Sequence, residues 1–319
     1  MQWAFGVFFY ACLLVSLAAM VATFFLILPD FLLMALGLAL VRFRFLLPDF
    51  FHGAEKLVYY VLFPALLFSS MAKSELSLQQ ISTLGLGTAL VILAGVAMTY
   101  VARPLLHPDA LQHASVAQCG YRFNSYLAFS IAGALGGTAG LSAMAVIAVV
   151  AVPLGNIAAV SGLAQGSKSG NVFLLLLKNP LIIGTLSGLA WNLLGLPLPA
   201  ALDVTLSRLG SSALALGLIC VGASFSVHAL QGAQRLVSWM IAVKLLFCPV
   251  VALVLNAVMP LSALEQQMLL LFATLPTAST TYVLAVRMGG DGRLVALTMS
   301  LCTLFAAVTM PLWLLIRYA

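Results

Sequence analysis

Apolar residues run along this chain in blocks of about twenty, the length a helix needs to cross a bilayer, with charged residues or Pro/Gly clusters between them. The pattern predicts ten spans, approximately 20–41, 50–71, 78–101, 114–136, 140–162, 173–194, 201–224, 236–258, 266–288 and 294–316. That is an all-α polytopic membrane protein with short connections and no soluble domain. The longest polar linker, Gln165–Asn171, falls between spans five and six and divides the chain near its middle. Residues 3–41 are almost unbroken apolar sequence, about twice a span. They lack the basic leader of a signal peptide. Residues 1–19 are therefore read as an apolar extension, with Met20 as the favoured start.

The blocks repeat. Pro29, Gly37 and Pro48 in the first half are matched in spacing by Pro180, Gly188 and Pro199 in the second. Pro104 and Pro260 close spans three and eight, and GGTAGLSA (136–143) resembles GGDGRLVA (289–296). Residues 20–162 and 173–319 thus read as two five-span repeats joined by a linker at 163–172. Five is odd, so the second copy enters the membrane from the opposite side. Inverted repeats are a signature of secondary transporters, which carry their sites near the midplane on interrupted helices.

Composition agrees with the pattern and narrows the function. Of 319 residues, 63% are apolar and 7% charged, against about 45–50% and about 25% in soluble domains. The net charge of +6 has no basic block or interleaved aromatics behind it, which argues against nucleic acid. It reads instead as a positive-inside bias. Arg42, Arg44, Lys56, Arg103, Lys168, Lys178, Arg235, Arg287 and Arg293 follow odd spans, and only Lys73, Arg208 and Arg317 lie on the other side. Odd loops are expected in the cytoplasm and both termini outside it, in a cell (inner) membrane. The five cysteines sit in apolar segments without paired spacing and read as buried hydrophobes. The four histidines lack metal spacing, and no HExxH, Walker A or closed serine-elbow motif occurs. Neither an enzyme nor a cofactor or metal site is expected.

Polar residues inside the spans supply the candidate chemistry. Span nine centres on TLPTASTTY (274–282), in which Pro276 removes a mid-helix donor amid Thr277, Ser279 and Thr280. Span four, its counterpart, centres on RFNSY (122–126). Two interrupted helices in matching positions point to a binding site whose half-helix N-termini face an anion; the plainer reading is a proline kink with Ser and Thr bonded to their own backbone. The expected substrate residues are Arg122, Asn124, Ser125, Tyr126, Pro276, Thr277, Ser279 and Thr280. Asp30, Arg122 and Lys244 are charged inside spans, each costing at least about 2.5–3.5 kcal/mol. Arg122 either contacts substrate or bonds carbonyls freed by the break. Lys244 reads as steadying the kink where Pro249 frees the Leu245 carbonyl. Asp30 either carries a coupling proton or pairs with one of the two cations.

The stretches LPDFLLMALGLALVRF, LVYYVLFPALLFSSM, RFNSYLAFSIAGALGG, AVKLLFCPVVAL and LPTASTTYVLAVRMGGD, in that order, resemble the auxin efflux carrier (AEC) family, bacterial relatives of the plant PIN-type carriers. The resemblance covers Met20 to the C-terminus. It implies ten helices in two inverted repeats, as in bile-acid symporters and sodium/proton antiporters, with a scaffold part and a transport part holding two crossing broken helices. It implies a small organic anion as substrate, among them auxin or carboxylates such as malonate and malate, and an oligomer such as a homodimer. By position, Asn124 would be the crossover asparagine and Pro276 the crossover proline. The sequence departs from the commoner arginine-asparagine dipeptide by inserting Phe123, and it lacks a proline soon after Asn124. A channel or a substrate sensor on the same fold is the alternative to a carrier.

Overall fold

The computed structural model describes residues 28–73, 77–163, 180–225, 233–278 and 280–315. The extension at 1–19, the linker at 163–172 beyond Leu163, and Ser279 lie outside them. Among the described residues the chain is helical, with no strand. Helix α1 covers 28–42. Then come α2 (Pro48–Leu57), a π-turn (Val58–Leu62) and α3 (Phe63–Ala72), α4 (Leu78–Leu106), α5 (Ala110–Ala117), and α6 (Ser125–Leu163). The second half holds α7 (Pro180–Leu193), α8 (Ala200–Ala223), α9 (Gln234–Ala242), a π-turn (Val243–Phe247) and α10 (Cys248–Val258), α11 (Ala263–Thr274), α12 (Thr280–Arg287) and α13 (Gly292–Leu315). Among the described residues, five stretches, Leu78–Leu106, Ala110–Leu163, Ala200–Ala223, Gln234–Val258 and Gly292–Leu315, are long and apolar enough to cross a membrane.

Local sequence explains the boundaries. Ser77 and Gln80 form a capping box that starts α4, and Ser262 and Glu265 form another that starts α11. Asp109 caps α5 by accepting from the Leu111 and Gln112 N–H groups. Helix α4 passes the predicted stop at Pro104 and ends at His107, whose φ of 45° is left-handed. In α6 the chain turns back at Gly137 (φ 53°, ψ −139°), so the two predicted spans there form a hairpin. A methyl group on Gly140 would lie 2.2 Å from the Ala132 carbonyl oxygen, and only glycine permits that approach.

Both π-turns precede a proline. Pro64 and Pro249 have no N–H to give the carbonyl four residues back, and the helix widens by one residue there. The freed Leu245 carbonyl accepts the Trp313 indole N–H at 2.8 Å. This corrects the sequence reading, which gave that kink to Lys244.

The helices group into two bundles. One contains α1, α2, α3, α7 and α8. Its backbones nearly touch: a methyl on Gly37 would lie 1.9 Å from the Ile219 oxygen, and one on Gly222 would lie 1.7 Å from the Met34 oxygen. Lys73 and Asp203 form an ion pair across its end. The other bundle contains α4, α5, α6 and α9 to α13. The two meet along α6. There the Ser142 hydroxyl donates to the Ser70 carbonyl (2.7 Å), and the Phe63 ring stands edge-on to Tyr126 and Phe129.

Candidate functional site

Two non-helical stretches lie side by side in the second bundle. The first follows α5, whose last residues tighten into a 3-10 turn at Gln118–Gly120 before the chain leaves the helix through Tyr121–Asn124. No proline forces this exit. Asn124 makes it instead, because its side-chain oxygen accepts the Leu127 N–H (3.2 Å) and so caps the start of α6. The second follows α11. Pro276 pushes the residue before it out of the helical region, and Leu275 is extended at φ −63°, ψ 145°. The helical path resumes at Thr280. A backbone hydrogen bond from the Asn124 N–H to the Pro276 carbonyl (2.8 Å) joins the two breaks.

Arg122 links the same region through side chains. Its guanidinium donates to Gln118 Oε1, to Asn156 Oδ1 and to Thr280 Oγ1, each at 3.0 Å. These are side-chain oxygens, and among the described residues no carbonyl freed by the break bonds the Arg122 side chain. Arg122 is half-buried and Thr280 exposed, which leaves the guanidinium beside an opening. Phe123 turns the other way, buried with its ring edge-on to Phe272 at 4.9 Å. The residue that separates arginine from asparagine is thus a core anchor that lets its two neighbours face different partners.

Asn124 is 1% exposed and, among the described residues, its amide nitrogen has no hydrogen-bond partner. A buried unsatisfied donor costs about 1–3 kcal/mol, so it is a position where a ligand oxygen would be favourable. Thr277 is buried, 3.5 Å from the Thr281 hydroxyl. Ser125 is half-buried at the start of α6. Tyr126 packs on Phe63 and against Gly217, where a methyl would lie 2.6 Å from its ring. Its ring belongs to the joint between the bundles more than to the polar cluster.

The two other intramembrane charges lie apart from this cluster. Lys244 is buried in the second π-turn, with its ammonium 5.4 Å from the centre of the Phe272 ring, a cation–π distance. Asp30 is 6% exposed and accepts the Ser130 hydroxyl at 2.6 Å. No ion pair joins it to Arg122 or Lys244 among the described residues, so the pairing expected for Asp30 is replaced by a hydroxyl. Gln118, Asn156 and Ser130 escaped the sequence reading. Gln118 had a signal, since it lies one turn before Arg122, and Asn156 is the one amide in span five.

Chemically, the cluster offers two helix N-termini, a guanidinium, an unpaired amide donor and threonine hydroxyls. No carboxylate bonds any of them among the described residues. Such a set favours an anion. No curated protein matches the chain. Residues 167–314 do match a family model described as Membrane transport protein, the family of the auxin efflux carriers. The match takes in Lys244, Pro276, Thr277 and Thr280, while Arg122 and Asn124 precede it. Over residues 167–314, the chain is thus similar to the auxin efflux carrier family of membrane transport proteins.

Proposed function

We propose that the protein is a secondary carrier that moves a small organic carboxylate across the membrane by alternating access. Its site is the crossing of the two breaks, and the observation that carries the reading is the Asn124 N–H bonded to the Pro276 carbonyl beside an unpaired Asn124 amide. Interrupted backbone inside a membrane is stable only where protein covers it or it lines a polar cavity. The carboxylate accepts from the Asn124 amide and the N-terminus of α6 on one side and from Thr280 and the N-terminus of α12 on the other. Arg122, already bonded to Thr280, sets the positive field.

The ten spans in this reading form two inverted repeats, 20–162 and 173–319. One polar lock recurs at their equivalent places. Arg103 Nε bonds the His113 ring (3.2 Å), and Asn256 and Gln266 exchange side-chain to backbone bonds (3.0 and 3.4 Å). The members of both pairs are separated by 153 positions, as are Gly136 and Gly289. The bundle of α1, α2, α3, α7 and α8 serves as scaffold and the other as the moving part, with odd loops in the cytoplasm and both termini outside.

Counterflow of radiolabelled malonate, malate, lactate and indole acetate in proteoliposomes tests the reading. Wild type should exchange at least one acid saturably, and Asn124→Ala and Thr280→Ala should each abolish it. Exchange indifferent to both substitutions would move the site elsewhere. Ohmic conduction would make the protein a channel, and binding without movement a sensor.

A further inference from the structure

We propose that Asp30 is a proton-binding site whose charge locks the two bundles together, so that a proton gates the carrier's movement. The inference rests on the carrier reading and adds its gate. Asp30 belongs to α1 in the scaffold bundle, and Ser130 to α6 in the other, six residues past the Asn124 break. Their hydrogen bond, 2.6 Å from the Ser130 hydroxyl to Asp30 Oδ1, therefore crosses the joint that alternating access has to shear.

Among the described residues no ion pair compensates this carboxyl. Helix α6 contains no charged residue along its length, and its nearest titratable side chain is Tyr126, one turn before Ser130. Helix α8 meets α1 through Ile219–Ala223 at Gly37 and Met34; its charges, Asp203 and Arg208, lie in its first half, and Cys220 is the thiol near the contact. Helix α2 carries His52, Glu55 and Lys56, but its buried Phe51 and Ala54 pack with Leu40 and Val41, ten residues or about 15 Å along α1 from Asp30. The other contacts across the joint, Ser142 to Ser70 and Phe63 to Tyr126 and Phe129, do not change charge near neutrality. Among the described residues Asp30 is the titratable side chain hydrogen-bonded across the joint; Glu55 of α2 lies near Tyr126 but bonds nothing across it.

An ionised Asp30 receives a charge-assisted hydrogen bond from Ser130, roughly twice as strong as a neutral one, and this holds α1 to α6. A proton taken from water on the side to which the crevice opens binds at Oδ2, the oxygen that Ser130 leaves free. The pair is then neutral, the tie weakens, and the moving bundle slides with its anion. The empty bundle returns in the same protonated state, and Oδ2 then gives the proton back to the water it came from, so the proton gates the movement without crossing on balance.

Two measurements on purified protein test this. With the same pH on both sides, the rate of anion exchange by wild type should fall about tenfold for each pH unit above the point where Asp30 is half protonated, since the mobile protonated fraction falls by that factor. Asp30→Asn, which keeps an acceptor for Ser130 and carries no charge, should exchange anion at a rate that no longer depends on pH. Independently of any substrate, infrared difference spectra should show a protonated-carboxyl band that titrates in wild type and is missing from Asp30→Asn. Wild-type exchange that ignores pH, a pH dependence that survives in Asp30→Asn, or no Asp30-dependent band would each overturn the proposal. If wild type exchanges no anion, the carrier reading and the gating fall together, and the band alone then decides whether Asp30 binds a proton.

Discussion

Arg122 meets three acceptors that come from three places in the chain: Gln118 before the first break, Asn156 in the second half of α6, and Thr280 after the second break. A planar guanidinium can serve all three at once, whereas an ammonium is a point charge on a flexible stem. Arg122→Lys should therefore keep the charge and lose the geometry. With hydrogen bonds to charged groups worth about 1.5–3 kcal/mol, the KM for anion exchange should rise by roughly 10-fold or more, read from the concentration dependence of counterflow. An unchanged KM would mean that Arg122 acts through its charge alone and not also by holding Thr280 in place. Trp313→Phe makes a separate prediction: the Leu245 carbonyl loses its indole donor, and the melting midpoint in detergent should fall by the equivalent of about 1–3 kcal/mol. The sequence exposed Arg122 and Asn124 because polar residues are expensive in spans. It did not expose Trp313 as the partner of Leu245 or Ser130 as the partner of Asp30, since those contacts join residues 68 and 100 positions apart through helix rotations that one sequence does not encode.

The helices themselves were largely legible, because twenty-residue apolar blocks and caps are local signals. The span expected at 201–224 is helix Ala200–Ala223, and that at 78–101 is Leu78–Leu106. Its extra turn shows where local reading misleads: Pro104 stays inside the helix while the Arg103 guanidinium lies over the Tyr100 ring at 4.8 Å. Pro276 announced one break plainly. The break at Asn124 had no proline and rests on a side-chain cap, a weaker signal that became visible only beside its counterpart in the second half. The π-turns were not read at all, although Pro64 and Pro249 lie just beyond them. Close helix contact is testable here. Gly222→Ala would drive a methyl to 1.7 Å from the Met34 oxygen, whereas Gly53→Ala meets nothing within 4 Å. The first should lower the melting midpoint by the equivalent of about 1–3 kcal/mol or more, and the second should leave it unchanged or raise it, as alanine is the better helix former. Equal effects would mean that α1 and α8 are not packed this closely.

Taken whole, the molecule sets a small-residue bundle with near-touching backbones against a second bundle that carries both breaks, the guanidinium and the unpaired amide. In the proposed carrier, movement of one against the other would carry the site from one aqueous phase to the other without disturbing the bonds that hold Asn124 to Pro276 and Arg122 to Thr280. Thr280 is exposed, which makes it a place to look for alternating access. The measurement is the reactivity of Thr280→Cys in oriented proteoliposomes toward a membrane-impermeant thiol reagent added to one side or the other, against the background of the unsubstituted protein, whose cysteines 119, 220, 248 and 302 are buried. The account predicts reaction from both sides and protection from both by saturating anion. Reaction from one side only, or reaction that the transported anion does not slow, would contradict it.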